Sequence, residues 1–486
     1  MDKDLLALQE VRDLAHRADQ AGQALAEMDQ EQLDAIIAAV SRAGEDRAEE
    51  LARLAVEETG FGVVEHKTIK NRFAAGTVYR HIKDQKVVGL LARDDARRTA
   101  DIGAPVGVVA ALVPSTNPTS TVFYKALICL KAGNPVIFSP HPNALGCITA
   151  AVETAAKAAA AAGAPEGAIS CLTHPTLEAT QALMRHPKVR LILATGGGAM
   201  VRAAYSSGTP AIGVGAGNGP AYIHKSADVP AAVGRILASK TFDNGTICAS
   251  EQSIIVERAM EEPVTAQLRR QGAWVLEREE REKLARFILR PNGTMNPAIV
   301  GKSAQAVARL AGLEAPEGTR LLVAREEGVG PEHPFSSEKL SPVLAYYVEE
   351  DEAAVLRRSA QLLEWEGAGH TYTVHTADPE LPLRLARLLP ASRILVNTPA
   401  ALGGIGATTG LFPALTLGCG AAGGSSSSNN IGPLDLIDIR RVAWGVREAG
   451  ELTGVEKGEQ QKWTQQQDCS SQLITALMQE LCRRLR

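Results

Sequence analysis

The sequence predicts an α/β fold with two parallel-sheet domains and a small additional part. Three observations carry this. The chain has 486 residues, more than one core organises. Short apolar runs alternate with helix-like segments, the order that builds a parallel sheet with right-handed crossovers. Aromatic residues make up only 4%, while Ala and Gly are plentiful, which favours tightly packed α/β layers over an all-β module.

Residues 1–60 read as helical, because their apolar positions recur every three to four residues with few breakers. The texture then changes. VGVVAALVP (106–114) is a buried-strand run, followed by the turn STNP and the helical TSTVFYKALICLKAG. NPVIFSP (134–140) is the next strand, followed by an Ala-rich helix. VRLILATGGG (189–198) is a third strand, and AMVRAAYSSG continues as helix. AYIHKSADVPAAVGRILASKTF (221–242) repeats the pattern. SIIVE (253–257), KLSPVLAYYVE (339–349), TYTVHT (371–376) and RILVNT (393–398) supply the strands of a second domain. The tail differs. A polar tract, 455–471, precedes QLITALMQELCRRLR. There Leu473, Ile474, Leu477, Met478, Leu481, Cys482 and Leu485 share one helical stripe. This pattern suits a docking peptide or a helix packed on its own domain or a neighbouring subunit.

Composition excludes several classes. The net charge of −4 gives no basic surface, so nucleic acid is not an expected partner. The N-terminus MDKDLLALQE has no apolar signal core, and no run is expected to span a bilayer, which takes ~20 apolar residues. The cysteines at 129, 147, 171, 248, 419, 469 and 482 are odd in number and never spaced CxxC. Neither a metal site nor a disulfide framework is expected, and a reducing cytoplasm fits.

Cys248 stands apart from the other cysteines. In TFDNGTICASEQ it follows a turn, Asn244-Gly245-Thr246, and precedes the small Ala249 and Ser250. Small residues let a substrate approach, and backbone N–H groups there can face a developing oxyanion. Against this, a lone cysteine is ordinarily a small buried hydrophobe. Gly418, Gly420 and Gly423 satisfy GxGxxG, but the following SSSSNNIGP is no helix former, so the run is rejected as a dinucleotide site. ATGGGAM (194–200) is the better candidate, since it follows an apolar strand and opens a helical segment.

Together the motifs PVGVVAALVPSTNPTST, SPHPNA, ATGGGAMVRAAYSSG, PAIGVGAGNGPA, TFDNGTICASEQS, SEKLSPVLA, GHTYTVHT, RILVNTPAALGGIG and LTLGCGAAGG resemble the aldehyde dehydrogenase superfamily. Within it they resemble the CoA-acylating branch, over residues of about 100 to 445. The resemblance implies the aldehyde dehydrogenase fold, with two Rossmann-like domains and a bridging part. It implies Cys248 as the nucleophile and Asn117 as the amide that holds the aldehyde oxygen. It places Ser139, Pro140, His141, Thr195, Gly196, Gly197, Gly215 and Glu338 on the cofactor side, with Glu338 holding the nicotinamide ribose. The expected division is a cofactor domain over 1–239, with 85–102 in the bridging part, a catalytic domain over 240–422, a bridging segment over 423–446 and a tail over 447–486.

Two departures refine the implication. Hydrolytic members carry a glutamate, in an ELGGK-like segment, that activates water. Here GVGAGN (213–218) puts Val214 at that position, and valine cannot act as a base. The implied acceptor is therefore a thiol, CoA, and the implied oxidant NAD. Ser139 stands where many hydrolytic relatives have a ribose-contacting lysine, which loosens the choice between NAD and NADP. The implied reaction converts acetaldehyde or propionaldehyde to its acyl-CoA. An acylating semialdehyde or sulfoacetaldehyde dehydrogenase and a non-catalytic shell-binding scaffold are the alternatives. The resemblance further implies a homodimer or homotetramer. It also implies microcompartment shell proteins as partners of an encapsulation helix over 472–486.

Overall fold

The computed structural model describes residues 3–290, 292–453, 473–478 and 483. In chain order the strands are β1 (Gly89–Asp94), β2 (Thr99–Pro105), β3 (Val108–Val113), β4 (Val136–Pro140), β5 (Ile169–Cys171), β6 (Val189–Thr195), β7 (Ala211–Val214) and β8 (Gly219–Ile223). They continue as β9 (Glu251–Glu257), β10 (Ala273–Val275), β11 (Leu321–Arg325), β12 (Val343–Glu349), β13 (Gly369–His375), β14 (Ala391–Val396) and β15 (Ile437–Ala443). The described chain forms two compact units, 1–89 with 104–438, and 90–103 with 439–486.

The larger unit holds two parallel sheets. One has the order β5-β4-β3-β6-β7 and the other β10-β11-β12-β9-β8-β13-β14. Burial on both faces explains their unbroken apolar runs. In β3, Val109, Ala111 and Val113 enter one core while Val108, Ala110 and Leu112 enter another, the period-two alternation of a strand. In β12, Val343, Ala345 and Tyr347 oppose Leu344 and Tyr346 in the same way. The predicted helices at the N-terminus are Lys3–Ala26, Gln30–Asp46 and Ala48–Thr59.

Three expectations are revised. β8 pairs with β9 and β13, so the chain passes from the first sheet to the second between 214 and 219, not at 239. Residues 423–436, expected in the bridging segment, belong to the larger unit, and β1, β2 and β15 form a separate three-stranded sheet. Pro142–Ala161 does have the length and hydropathy of a membrane span. Its alanines supply that hydropathy, and Ile148, Ala151, Val152 and Ala155 are buried in the core beside the five-stranded sheet.

In the smaller unit, Arg93 lies over the Trp444 ring and Arg441 pairs with Asp101 at 3.2 Å. The helix expected in the tail falls partly outside the described residues. Of it, 473–478 is helical, with Leu473, Ile474, Leu477 and Met478 exposed. The polar tract expected over 455–471 lies outside them.

Candidate active site

A cleft of about 410 Å³ opens where the ends of β3, β4, β6 and β7 face the loop before β9. All ten candidate residues line it: Asn117, Ser139, Pro140, His141, Thr195, Gly196, Gly197, Gly215, Cys248 and Glu338. Ligand sites of open α/β sheets lie at the carboxyl ends of strands, and this cleft does too.

Cys248 follows a short 3-10 turn, Phe242–Gly245, in which Asp243 and Asn244 hold left-handed backbone angles of φ 49° and 52°. The thiol is partly open to the cleft but sits deep in the protein. That burial pushes it up to about 12, Glu338 and Cys419 add to the rise, and Arg393 opposes it. The resting side chain is therefore a neutral thiol, and its own backbone N–H lies against it. Gly217 is required beside it, because a Cβ there would stand 1.9 Å from the Cys248 carbonyl oxygen. The Gly217 N–H donates to Glu338 Oε1 at 2.9 Å. Burial and the neighbouring Glu366 push Glu338 up to about 8, against the Gly217 N–H, Lys240 and Lys339.

Asn117 begins the helix Pro118–Lys131, with Pro118 at its first position. Its Nδ2 donates to the Thr246 carbonyl at 3.1 Å, beside the Cys248 loop, and its Oδ1 accepts from Lys70 at 2.6 Å. Lys70, from the helix Val64–Arg72, is buried and also donates to Asp243 and to Thr246 Oγ1 at 2.9 Å. Burial draws Lys70 down to about 8, against the pull of Asp243. Burial raises Asp243, but Lys70 and Lys67 together outweigh it and hold the carboxyl below its usual range. Sequence reasoning missed Lys70, Asp243 and Thr246. EHKTIKN reads as a polar helix face, and the Lys70 contacts to Asn117 and Thr246 span 47 and 176 residues.

On the other side, Thr195 ends β6 and Gly196–Gly197 lead into the helix Gly198–Tyr205. Thr195 Oγ1 is buried without a partner, and a Cβ on Gly197 would meet nothing within 4 Å. An unspent hydroxyl beside open backbone at a helix start fits a dinucleotide. Ser139 Oγ is held by Thr180 Oγ1 at 2.9 Å. His141 is exposed, and its Nδ1 accepts from the Asn143 N–H. Val214, buried at the end of β7, lines the cleft with Gly215. The rejected GxGxxG run forms only a short 3-10 turn, Ala421–Gly423, with no strand leading into a helix. Among the described residues no group of His, Cys, Asp and Glu is arranged to hold a metal.

A thiol, an amide donor and a glycine turn around one cleft of a doubly layered α/β unit define an enzyme with a candidate cysteine nucleophile. The aldehyde dehydrogenase family profile matches residues 5–357, and the chain belongs to that family of oxidoreductases. A crystal structure of a probable aldehyde dehydrogenase from Listeria monocytogenes EGD-e is 56% identical, covers 93% of this chain and all of its own, and superposes with a TM-score of 0.92. An acetylating aldehyde dehydrogenase from Geobacillus thermoglucosidasius is 50% identical, covers 92% and 99%, and gives 0.90. The bifunctional aldehyde-alcohol dehydrogenase AdhE of Escherichia coli K12 is 44% identical over 439 residues, which are 89% of this chain. The chain spans about half the length, 49%, of that relative. A more distant structure, 27% identical over 90% of this chain and 98% of its own, with a TM-score of 0.81, is a propionaldehyde dehydrogenase from the Clostridium phytofermentans fucose utilisation bacterial microcompartment.

Proposed function

We propose that the chain oxidises a short-chain aldehyde, acetaldehyde or propionaldehyde, to its acyl-CoA with NAD⁺ and CoA, through a thioester on Cys248. The observation that carries this reading is Val214. It lines the cleft with Cys248 and offers no base where hydrolytic relatives carry a glutamate. The similarity to an acetylating enzyme at 50% identity supports the same reading.

Cys248 gives up its thiol proton to water in the cleft, its sulfur adds to the aldehyde carbon, and the carbonyl oxygen becomes an oxyanion that the Asn117 amide and the Cys248 backbone N–H would face. Loss of one such donor typically costs ~10²–10³ in rate. Thr195, Gly196, Gly197, Gly215 and Glu338 would hold the nicotinamide half of the dinucleotide, and Ser139, Pro140 and His141 the adenosine half. When bound, the nicotinamide supplies the acceptor for the hydride leaving the adduct carbon. The CoA thiol then attacks the thioester carbon, the new C–S bond forms, the bond to Cys248 breaks, and the CoA thiol proton passes to the departing sulfur, which restores the neutral Cys248 thiol.

Lys70 and Glu338 are the Lys, Arg, Asp or Glu side chains lining the described cleft, and the three Lys70 donors are occupied by Asn117, Asp243 and Thr246. A charged semialdehyde or sulfoacetaldehyde therefore finds no open cation there, which favours an uncharged substrate. We place the enzyme in the cytoplasm, as a homodimer or homotetramer inside a bacterial microcompartment, with residues 472–486 docking on shell proteins. The microcompartment relative and the exposed Leu473, Ile474, Leu477 and Met478 support this.

The test follows NADH with purified enzyme, NAD⁺ and propionaldehyde, with and without CoA. Turnover is expected only with CoA and is lost in Cys248→Ala. Equal steady turnover without CoA would overturn the acylating assignment.

A further inference from the structure

Behind Asn117 lies a buried ionic cluster that the reaction as described does not use. The Lys70 ammonium has three protons and three acceptors: Asn117 Oδ1 at 2.6 Å, Thr246 Oγ1 at 2.9 Å and the Asp243 carboxylate. Lys67 completes the cluster, bonding Asp243 at 3.0 Å and the Thr116 carbonyl at 2.9 Å. Thr246 Oγ1 in turn donates to Asp243 Oδ2 at 2.7 Å. The cluster thus joins the Asn117 segment to residues 243–246, which lead directly into Cys248.

Its chemistry fixes one binary choice. A carboxamide can present either its oxygen or its nitrogen to a given side, and the two are nearly the same shape. An ammonium only donates, so the atom facing Lys70 has to be Oδ1. A backbone carbonyl only accepts, so the atom facing Thr246 O has to be Nδ2. Both neighbours demand the same orientation. Nδ2 has two protons and Thr246 O takes one. Thr116 Oγ1, at 3.3 Å, is a longer contact that a stronger acceptor can replace.

We propose that Lys70 is a positioning residue for the reaction: it locks the flip of the Asn117 carboxamide so that an N–H, and not the carbonyl oxygen, faces the oxyanion formed at Cys248. This rests on the functional reading above only in taking Cys248 as nucleophile and Asn117 as oxyanion donor. Without Lys70 only the Thr246 carbonyl still selects the orientation, and the flipped amide, whose lone pair faces the developing negative charge, becomes more populated. The positive charge behind Oδ1 also polarises the amide toward stronger donation through Nδ2.

The test is acylation of Cys248 by p-nitrophenyl acetate, which requires neither a nicotinamide nor CoA. The sulfur attacks the ester carbonyl, the C–S bond forms through an oxyanion, the C–O bond breaks, and p-nitrophenolate leaves as the measured product. Lys70→Met is compared with wild type, and again in an Asn117→Ala background. In the wild-type background Lys70→Met is expected to slow release by about tenfold or more, and in the Asn117→Ala background by less than about twofold. Lys70→Arg, which keeps a donor toward Oδ1, is expected to recover most of the rate. A merely structural role would slow release by the same factor in both backgrounds, and that result overturns the proposal. If Lys70→Met does not fold, Lys70→Met with Asp243→Asn removes cation and carboxylate together and is read in the same cycle. Full coupling without CoA-dependent NADH formation would uphold Lys70 and refute the acyl-CoA reading instead.

Discussion

Cys248 differs from Cys129 and Cys147 in setting, not in kind. All three are pushed up by burial, but Cys248 opens on the cleft and the others face apolar core. The charge that raises it most is Glu338, a carboxyl that burial pushes up to about 8. Near pH 7 Glu338 is mostly protonated and exerts little repulsion. Near pH 9 it is ionised and disfavours the thiolate. Glu338→Gln is therefore expected to leave alkylation of Cys248 by iodoacetamide almost unchanged at about pH 7 and to speed it severalfold at about pH 9. Equal acceleration at both pH values would contradict this coupling. The ten candidate residues came from the family resemblance, each standing inside a motif that carries it, and all ten line the cleft. Lys70 was not. A lysine on a polar helix face looks solvated until the fold brings Asp243, 173 residues away, to meet it.

At the scale of elements, β3, β4, β6, β9, β12, β13 and β14 fall where strands are expected, and all but the edge strand β14 are largely buried. β5 and β10 have three residues each, and β7 has four, too few to show a period. The sheet boundary was misplaced because β8 and the helix after it, Val229–Thr241, repeat the strand-helix rhythm of the first sheet. Rhythm does not say which sheet a strand joins. Packing does allow a prediction. In the helix Gln30–Asp46, a Cβ on Gly44 would meet Phe123 at 2.7 Å and Ala75 at 2.8 Å. Gly44→Ala would gain about 1 kcal/mol of helix propensity. Overpacking costs about 1–3 kcal/mol. Because both contacts are core side chains, the cost is expected to win: Tm falls while kcat is unchanged. A raised Tm would mean that the helices can part without loss.

For the whole molecule, the candidate cleft lies wholly within the larger unit, so the tail should be separable from it by truncation. Deleting 455–486 is expected to leave specific activity nearly intact and to abolish co-purification with microcompartment shells. Loss of soluble, active enzyme would instead support a packed helix. The tail's apolar stripe was visible in the sequence, but an amphipathic pattern does not say what covers it. On this reading an acyl group on Cys248 waits for a thiol because Val214 activates no water. Mixing enzyme rapidly with propionaldehyde and NAD⁺ in the absence of CoA tests it most directly, with NADH followed in time and the protein mass read afterwards. A burst of NADH limited by the amount of Cys248 is expected, with a propionyl group retained on that residue and renewed turnover when CoA is added. Continuous NADH formation with release of propionate before any CoA is present would contradict it.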